Sequence, residues 1–443
     1  MNELRPLDWG FLELENTDRH ISLGIGAAAI IAGQAPSRAE FSAWLGERIS
    51  HVGRLSQRVR RAPLELTAPE WEQDPEFDLA QHIRWTALPT PRDESMLREL
   101  IAVELEQRLD RDHPLWECVV VEQLAGNRWA MIVKAHHSMV DGMSGIALLE
   151  RLCDPGSPGR APDSSPRSVR PRPGLGEWVT TGIRLPLTAP RFALSMVRAV
   201  VPVVYSALAP STPSSLNGPI GRKRRYAVAK VSMSDIRAIE ATFGTSVNDV
   251  ALAAITTAYR RLLRHRDEEP TADKIRVLVP VSMRSDDAES ALDNRISVIL
   301  PYLPVELSDP VEQLIAVHER VARHRARGEA EAETSIVSMA QFLPFRIEAW
   351  AVRMAGHFPQ RSVAALATNV PGPRRRLGVD GRDVLEIWPC IPIAMRLRTT
   401  IAILSYRDRL VFGITGDYGA TPDIDLIADG IRHGIAELRA HTQ

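Results

Sequence analysis

The stretch His136-His137-Ser138-Met139-Val140-Asp141-Gly142 decides how this sequence is interpreted. The run before it, residues 129–135, is apolar and partly β-branched, which is typical of a buried strand. The run after it, residues 143–152, carries apolar residues at helical spacing. The two histidines are therefore predicted to lie at a strand-to-helix turn. An imidazole titrates near neutral pH, so a histidine facing a cleft there can accept a proton from a hydroxyl.

Composition and charge place the chain among globular proteins. Its 443 residues are 44% hydrophobic and 25% charged, enough for two domains with large cores. The formal net charge is −1, so we expect no nucleic-acid partner. Three cysteines without Cys-x-x-Cys spacing predict a reducing compartment, the cytoplasm. No run reaches ~18 apolar residues and the N-terminus is acidic, so neither a spanning helix nor a signal peptide is predicted.

The pattern along the chain predicts two α/β units joined by a long linker. The elements predicted in the first unit are helices over residues 37–61 and 97–109 and strands over residues 117–124 and 128–135. Those predicted in the second unit are helices over residues 247–263, 309–327 and 424–438 and strands over residues 275–282, 296–305, 399–406 and 410–418. Residues 154–174 are rich in Pro, Ser, Gly and Arg, which is typical of a linker.

Three further segments allow two interpretations each. The basic clusters at residues 222–225 and 374–376 are either solvated faces or landing patches for anionic lipid or for the phosphates of a nucleotide carrier. The apolar residues 175–208 are either helices packed over the domain junction or a lipid-facing surface. Prolines within this stretch favour the packed helices, because they interrupt a single amphipathic helix.

Additional motifs indicate more specifically which proteins the chain resembles. The His-His-x-x-x-Asp-Gly motif by itself is shared across the chloramphenicol acetyltransferase-like superfamily. The chain also contains the segments Pro69-Glu-Trp71, Pro114-Leu-Trp116, Leu216-Asn-Gly-Pro219, Asn248-Asp249, Val279-Pro-Val-Ser-Met-Arg284 and Thr368-Asn-Val-Pro-Gly-Pro373. With these segments, the chain resembles the bacterial wax ester synthase/acyl-CoA:diacylglycerol acyltransferases over nearly its whole length. The sequence departs from the family pattern at Arg374-Arg-Arg-Leu-Gly, where an apolar or aromatic pair is more usual.

The resemblance implies an α/β (α+β) fold of two chloramphenicol acetyltransferase-like domains, with mixed sheets flanked by helices and an active-site channel at the domain interface. The implied divisions are residues 1–152, a linker with crossover helices over residues 153–221, and residues 222–443. The implied activity moves a long-chain fatty acyl group from acyl-CoA to diacylglycerol or a long-chain fatty alcohol. Acyl-CoA is then a co-substrate, and neither a cofactor nor a metal is expected. The implied location is peripheral, at the inner membrane or on lipid droplets.

The resemblance also assigns roles to individual residues. His137 matches the histidine that acts as general base, taking the proton of the acceptor hydroxyl and returning it to the CoA sulfur. His136 supports it, and Asp141 holds the turn by pairing with an arginine, for which Arg58 is one candidate. Asn248 is a candidate donor to the oxyanion. The implied substrate-binding positions are Gly142, Asn248, Asp249, Asn369, Pro371 and Gly372.

Three alternatives to this function stay open. His136, His137 and Asp141 could bind zinc in a hydrolase, although adjacent strand residues point to opposite faces. The chain could be a non-catalytic lipid-droplet coat protein that keeps the fold. It could also acylate polyketides or peptides from carrier proteins. Metal analysis and an activity assay with lipid acceptors would separate these cases.

Overall fold

The computed structural model describes residues 4, 6–61, 69–140, 142–155, 212–283, 295–331 and 360–442. Asp141 and the predicted linker and apolar stretch within residues 156–211 lie outside the described residues. The helices are α1 (Pro6–Thr17), α2 (Arg38–Ser50), α3 (Leu79–His82), α4 (Glu94–Glu106), α5 (Gly142–Leu152), α6 (Met233–Phe243), α7 (Val247–His265), α8 (Pro310–Glu331) and α9 (Ile424–Ala440).

The strands form two large sheets and one small one. In chain order they are β1 (Gly24–Ala32), β2 (Gln57–Arg60), β3 (Glu70–Gln73), β4 (Ile83–Thr86), β5 (Trp116–Leu124), β6 (Arg128–His136), β7 (Asp154–Pro155), β8 (Arg224–Ser232), β9 (Val277–Met283), β10 (Arg295–Ile299), β11 (Ala365–Val370), β12 (Leu377–Val379), β13 (Arg382–Cys390), β14 (Thr399–Tyr406) and β15 (Arg409–Asp417). The first sheet has the order β4-β5-β6-β1-β13-β12-β7, the second β10-β9-β11-β14-β15-β8, and β2 pairs with β3.

The first sheet is built around β6, which leads to the histidine pair. The predicted β5–β6 hairpin is confirmed, and its turn places Gly126 and Asn127 at φ of 82° and 52°. The unpredicted strand β1 pairs antiparallel with β6 on one side and β13 on the other. A Cβ atom on Gly26 of β1 would lie 2.0 Å from the backbone oxygen of Val133. Only glycine therefore fits at this position beside β6.

Two strands of the first sheet, β12 and β13, come from the second half of the chain. They bring the two large sheets into contact: Tyr226 of β8 donates a hydrogen bond to the backbone oxygen of Pro389 at 2.9 Å. A Cβ atom on Gly413 of β15 would lie 1.8 Å from the same oxygen. The predicted division of the chain after residues 152 and 221 does not include this exchange of strands, and those bounds stay a prediction.

The second sheet packs against α7 and α9. The predicted helix α7 is confirmed; Ser246 caps it and most of its residues are buried. A Cβ atom on Gly430 of α9 would lie 2.6 Å from the Cα atom of Ala258, so glycine permits the close helix packing. The predicted β14–β15 hairpin and the C-terminal helix α9 are also confirmed.

Two predicted elements end earlier than expected. The helix predicted over residues 37–61 is wrong beyond Ser50, where a short 3₁₀ helix and then β2 follow. Val59 of β2 faces Trp71 of β3, so pairing with the next strand along the chain overrides the helical pattern. The strand predicted over residues 296–305 ends at Ile299, because the prolines that follow lack the N–H that a strand ladder needs.

Candidate active site

The histidine pair lies in a tight turn between β6 and α5, as the sequence predicts. The backbone oxygen of His136 accepts hydrogen bonds from the N–H groups of Met139 at 2.8 Å and Val140 at 3.3 Å. The N–H of His137 donates to the backbone oxygen of Leu23 at 3.0 Å. Both the turn and its attachment to the segment before β1 therefore fix the backbone of the pair.

His136 is buried, and both of its ring nitrogens face polar partners. Its side chain is 1% exposed. The N–H of Ser138 donates to Nδ1 at 3.1 Å, and Ser138 Oγ lies 2.7 Å from the same nitrogen. Because Nδ1 accepts this backbone hydrogen bond, Nε2 is the ring nitrogen that can donate. Nε2 is 3.6 Å from Glu15 Oε1, so the contacts of His136 hold the ring in place.

Glu15 is a buried carboxylate that the sequence analysis did not single out. Its Oε1 accepts a hydrogen bond from the N–H of Leu23 at 2.8 Å, and its Oε2 accepts one from Arg111 at 2.7 Å. Burial by itself raises the pKa of this carboxyl, but His136, Leu23 and Arg111 outweigh it and lower the pKa to about 2. Glu15 is therefore charged at neutral pH. Glu15 is one of several acidic residues of α1, and the sequence near it does not mark its role. Its partners Arg111 and His136 lie far along the chain.

Leu23 connects this carboxylate to both histidines. Its N–H donates to Glu15, and its backbone oxygen accepts the N–H of His137. The side chain of Glu15 also faces His136. Glu15 thus contacts the ring of His136 directly and positions the backbone of His137 through Leu23.

His137 is half-buried against an apolar wall at the junction of the two halves of the chain. Its ring centroid lies 4.1 Å from that of Phe11, with the two rings inclined by 30°. Phe11 packs against a cluster that contains Leu23, Ile220 and Ile393. Since Ile393 comes from the second half and Ile220 from the segment just before β8, this site is formed where the two halves meet.

Asn248 and Asp249 lie in the first turn of α7. Asp249 Oδ2 accepts hydrogen bonds from the N–H of Ser246 at 3.0 Å and from its hydroxyl at 2.8 Å, and lies 2.9 Å from Nδ1 of His318. These contacts cap the helix, and a part for Asp249 in substrate binding stays a prediction. Asn248 Nδ2 is buried, and within the part of the chain that the structure describes no acceptor lies within hydrogen-bond distance of it. It is thus a donor available to a substrate oxygen.

Three predicted substrate-binding residues follow β11: Asn369, Pro371 and Gly372. A Cβ atom on Gly372 would lie 1.8 Å from the backbone oxygen of Ser405, so close packing requires glycine there. At the other end of β14, Thr400 Oγ1 donates to the backbone oxygen of Ile391 at 3.4 Å, two residues before Ile393 of the wall around His137. About 17 Å of strand separates Thr400 from Ser405. The role of the Asn369–Gly372 turn in substrate binding stays a prediction.

The remaining predicted residues have mixed outcomes. Gly142 begins α5, directly after the turn. Asp141 lies outside the described residues, so its arginine partner stays a prediction. Arg58 forms ion pairs with Glu72 at 3.0 Å and Asp74 at 3.8 Å. Across the described ranges, no group of three His, Cys, Asp or Glu side chains is arranged to hold a metal ion.

Known proteins resemble this chain in both sequence and fold. The model of the wax ester synthase/diacylglycerol acyltransferase catalytic domain matches residues 4–251, and that of the C-terminal domain of the same family matches residues 292–439. The probable diacylglycerol O-acyltransferase Tgs1 of Mycobacterium tuberculosis is 43% identical over 447 residues, 99% of this chain and 96% of that protein. The O-acyltransferase WSD of Acinetobacter baylyi is 29% identical over 446 residues, covering 95% of this chain and 93% of that protein.

Solved structures confirm the predicted fold class. The wax ester synthase/diacylglycerol acyltransferase of Marinobacter aquaeolei VT8 superposes with a TM-score of 0.71 at 25% identity and covers all of both chains. The first condensation domain of the CDA synthetase gives a TM-score of 0.59 at 14% identity, over 99% of this chain and 96% of that one. The second likeness shows the fold alone, in which mixed sheets are flanked by helices.

Proposed function

Because the chain belongs to the wax ester synthase/diacylglycerol acyltransferase family, we propose that it transfers a long-chain fatty acyl group from acyl-CoA to the hydroxyl of diacylglycerol or of a long-chain fatty alcohol. Its similarity to a diacylglycerol O-acyltransferase and to the O-acyltransferase WSD supports both acceptors. Acyl-CoA is a co-substrate in this reaction, which needs no resident cofactor or metal.

The observation that carries the proposal is the position of His137. Its backbone is fixed by Leu23, and its ring lies at the junction of the two halves against Phe11. A base held in this way can take the proton of an acceptor hydroxyl as the hydroxyl oxygen attacks the thioester carbonyl. The carbon–sulfur bond then breaks, and His137 returns the proton to the CoA thiolate. A thiolate is a good leaving group, so no covalent enzyme intermediate is required.

The negative charge that develops on the thioester oxygen requires donors. One general base contributes roughly 10²–10⁴-fold to the rate, so the rest must come from electrostatic stabilisation and positioning. We assign this donation to Asn248 Nδ2 and to the backbone N–H groups at the start of α7, where the helix dipole favours an anion. The apolar wall beside His137 limits the access of water, which would otherwise compete with the lipid alcohol.

We further propose that the enzyme works as a peripheral protein at a lipid surface. Diacylglycerol and long-chain alcohols reside in membranes and lipid droplets, so the enzyme must meet them there. No helix among the residues that the structure describes combines the length and apolar character needed to cross a bilayer. Surface attachment of the folded chain therefore provides the access to the acceptor.

The test uses purified protein with a long-chain acyl-CoA and, side by side, diacylglycerol and a fatty alcohol. Release of CoA thiol and formation of triacylglycerol or wax ester are the expected results. His137→Ala should lower turnover by at least about 100-fold, because the base is lost. His433→Ala removes an exposed histidine of α9 and should keep wild-type turnover. Circular dichroism and thermal melting report whether each variant is folded.

Two outcomes would contradict the proposal in different ways. A folded His137→Ala protein with full turnover would show that another group is the base. A wild-type protein that releases no CoA with either acceptor would show that the proposed reaction is wrong.

A further inference from the structure

Three loops of the second half form one surface that combines positive charge with exposed apolar side chains. We call it the basic surface, and its members are Arg222, Lys223, Arg225, Met395, Arg396, Arg398 and Tyr418. The N–H of Gly218 donates to the backbone oxygen of Arg396 at 3.0 Å, and the N–H of Tyr418 donates to that of Lys223 at 3.1 Å. These bonds join the loops directly, so the residues form one continuous patch.

The positive charge of the basic surface is not neutralised by nearby carboxylates. Its five cations form no ion pair with any carboxylate in the described ranges of the chain. Asp417 lies beneath it and is 4% exposed, with its oxygens occupied by the backbone N–H groups of Gly221, Gly419 and Ala420. Burial, together with the neighbouring cations, lowers the pKa of Arg396. The surface therefore offers concentrated positive charge to a partner.

The same surface exposes two large apolar side chains. Met395 is 44% exposed and Tyr418 is 47% exposed. The guanidinium carbon of Arg225 lies 4.0 Å from the ring centroid of Tyr418, and Lys223 Nζ lies 5.5 Å from it. Met395 and Arg396 have φ of 50° and 67°, a conformation that costs energy for residues with side chains. Apolar and aromatic groups among cations are typical of proteins that bind the interface of a lipid layer.

The basic surface adjoins the apolar wall of the active site. Ile220 and Ile393 of that wall each lie two residues before a member of the surface, Arg222 and Met395 respectively. The same cluster contains Phe11, whose ring faces that of His137. A molecule that leaves a lipid layer under this surface therefore meets apolar side chains on its way to the base.

We propose that the basic surface docks the enzyme on an anionic phospholipid layer, and that the lipid acceptor reaches His137 from this side. The identity of the acceptor rests on the proposed function, whereas the docking does not. Charge complementarity supports the docking: the cations of the basic surface can bind phosphate headgroups. Met395 and Tyr418 can insert into the apolar region beneath those headgroups.

The phosphates of acyl-CoA are the competing partner for these cations. The phosphates of a nucleotide would not bury the two exposed apolar side chains. Met395 and Tyr418, each nearly half exposed, therefore favour a lipid layer over acyl-CoA as the partner of the basic surface.

The first experiment measures partitioning of the full chain onto vesicles of phosphatidylcholine with and without phosphatidylglycerol. Each cation near an anionic bilayer strengthens binding about fivefold, so Arg222→Gln/Lys223→Gln/Arg225→Gln should weaken it on the order of 100-fold. Arg237→Gln/Arg323→Gln/Arg409→Gln removes the same charge from exposed positions of α6, α8 and β15 and should bind within about threefold of wild type, because distant charges are screened. Added salt should weaken wild-type binding.

A second measurement locates the contact. An environment-sensitive fluorophore is attached to Met395→Cys and, in a separate control protein, to Ile315→Cys. Ile315 lies on α8 and is 48% exposed. The native cysteines are buried, and burial raises the pKa of each thiol to about 12, so they resist labelling. Emission from position 395 should shift to shorter wavelength on anionic vesicles, and emission from position 315 should not.

Several outcomes would overturn the docking proposal. One is vesicle binding by the triple variant at Arg222, Lys223 and Arg225 that equals the wild type. Another is a triple variant whose vesicle binding is unchanged but whose KM for acyl-CoA in detergent rises, which would assign the surface to CoA phosphates. Equal emission shifts at positions 395 and 315 would also contradict it. Vesicle binding needs no turnover, so protein that docks through this surface yet releases no CoA would contradict the proposed function alone.

Discussion

Replacing Glu15 with glutamine tests whether a buried charge holds the two histidines in place. Glutamine keeps the size of the side chain, and its oxygen can still accept the hydrogen bond from Leu23. The change removes the negative charge that faces His136 and Arg111. Any effect on stability or rate then reports on that charge and on the hydrogen bond that Arg111 donates to Oε2.

The pKa of Glu15 gives the expected size of the effect on stability. It is lowered from 4.5 to about 2, and one pKa unit corresponds to about 1.4 kcal/mol, so the folded protein favours the charged form by about 3 kcal/mol. Glu15→Gln should lower the free energy of unfolding at pH 7 by up to about that amount. A lowered carboxyl pKa stabilises the fold above the unfolded value of 4.5, and this stabilisation is lost as pH falls to about 2. The difference between variant and wild type should therefore shrink over that range.

The effect on catalysis follows from the path through Leu23 to His137. A misplacement of the base by about 1 Å costs roughly 100-fold in rate, so kcat should fall by up to that factor while KM for acyl-CoA changes little. Glu13→Gln is the matched control, because this buried carboxylate of α1 pairs with Asn16 and Arg61 instead. It should lose stability and keep kcat.

Urea unfolding at several pH values and steady-state kinetics measure both effects of Glu15→Gln. Wild-type stability at pH 7 would refute the assignment of about 3 kcal/mol to the charge. Reduced stability with wild-type kcat would show that Glu15 supports the fold and does not position the histidines.

Two further predictions separate binding residues from structural ones. Asn248→Ala should lower kcat by about 100-fold with little loss of stability, and Asp249→Ala should lower the free energy of unfolding by about 1–2 kcal/mol through loss of the helix cap. Kinetics and urea unfolding of both variants check this. Equal kcat for Asn248→Ala and wild type would contradict the role of Asn248. Gly372→Ala should destabilise the protein by about 1–3 kcal/mol because its Cβ atom meets Ser405, and an unchanged Tm would show that the turn can move aside.

The sequence predicted best those elements whose cause is local. The hairpin of β14 and β15 consists of two largely apolar runs around a polar turn, and α7 has both an apolar face and a capping serine. The turn that bears His136 and His137 follows from a strand pattern, a helix pattern and a glycine between them. Each of these signals lies within a few residues of the structure that it predicts.

Elements that depend on a partner outside their own segment were not predictable in this way. Strand β2 carries a helical pattern and became a strand through its pairing with β3. Strands β12 and β13 join the first sheet although they belong to the second half of the chain. Gly372 lies in a motif of the family. Its close packing on Ser405 is enough to explain why glycine is needed there, with no contact to a substrate.

The amino-acid sequence by itself determined the family, the chemistry and the residue proposed as base, since a motif records which side chains a reaction needs. Tertiary structure alone decided which groups surround that base: the charged Glu15 behind His136, the ring of Phe11 against His137, and the wall shared with the second half. It also assembled the basic surface from three separate loops. The physical reason is that burial, charge pairing and close packing depend on distance in space, which a linear sequence does not record.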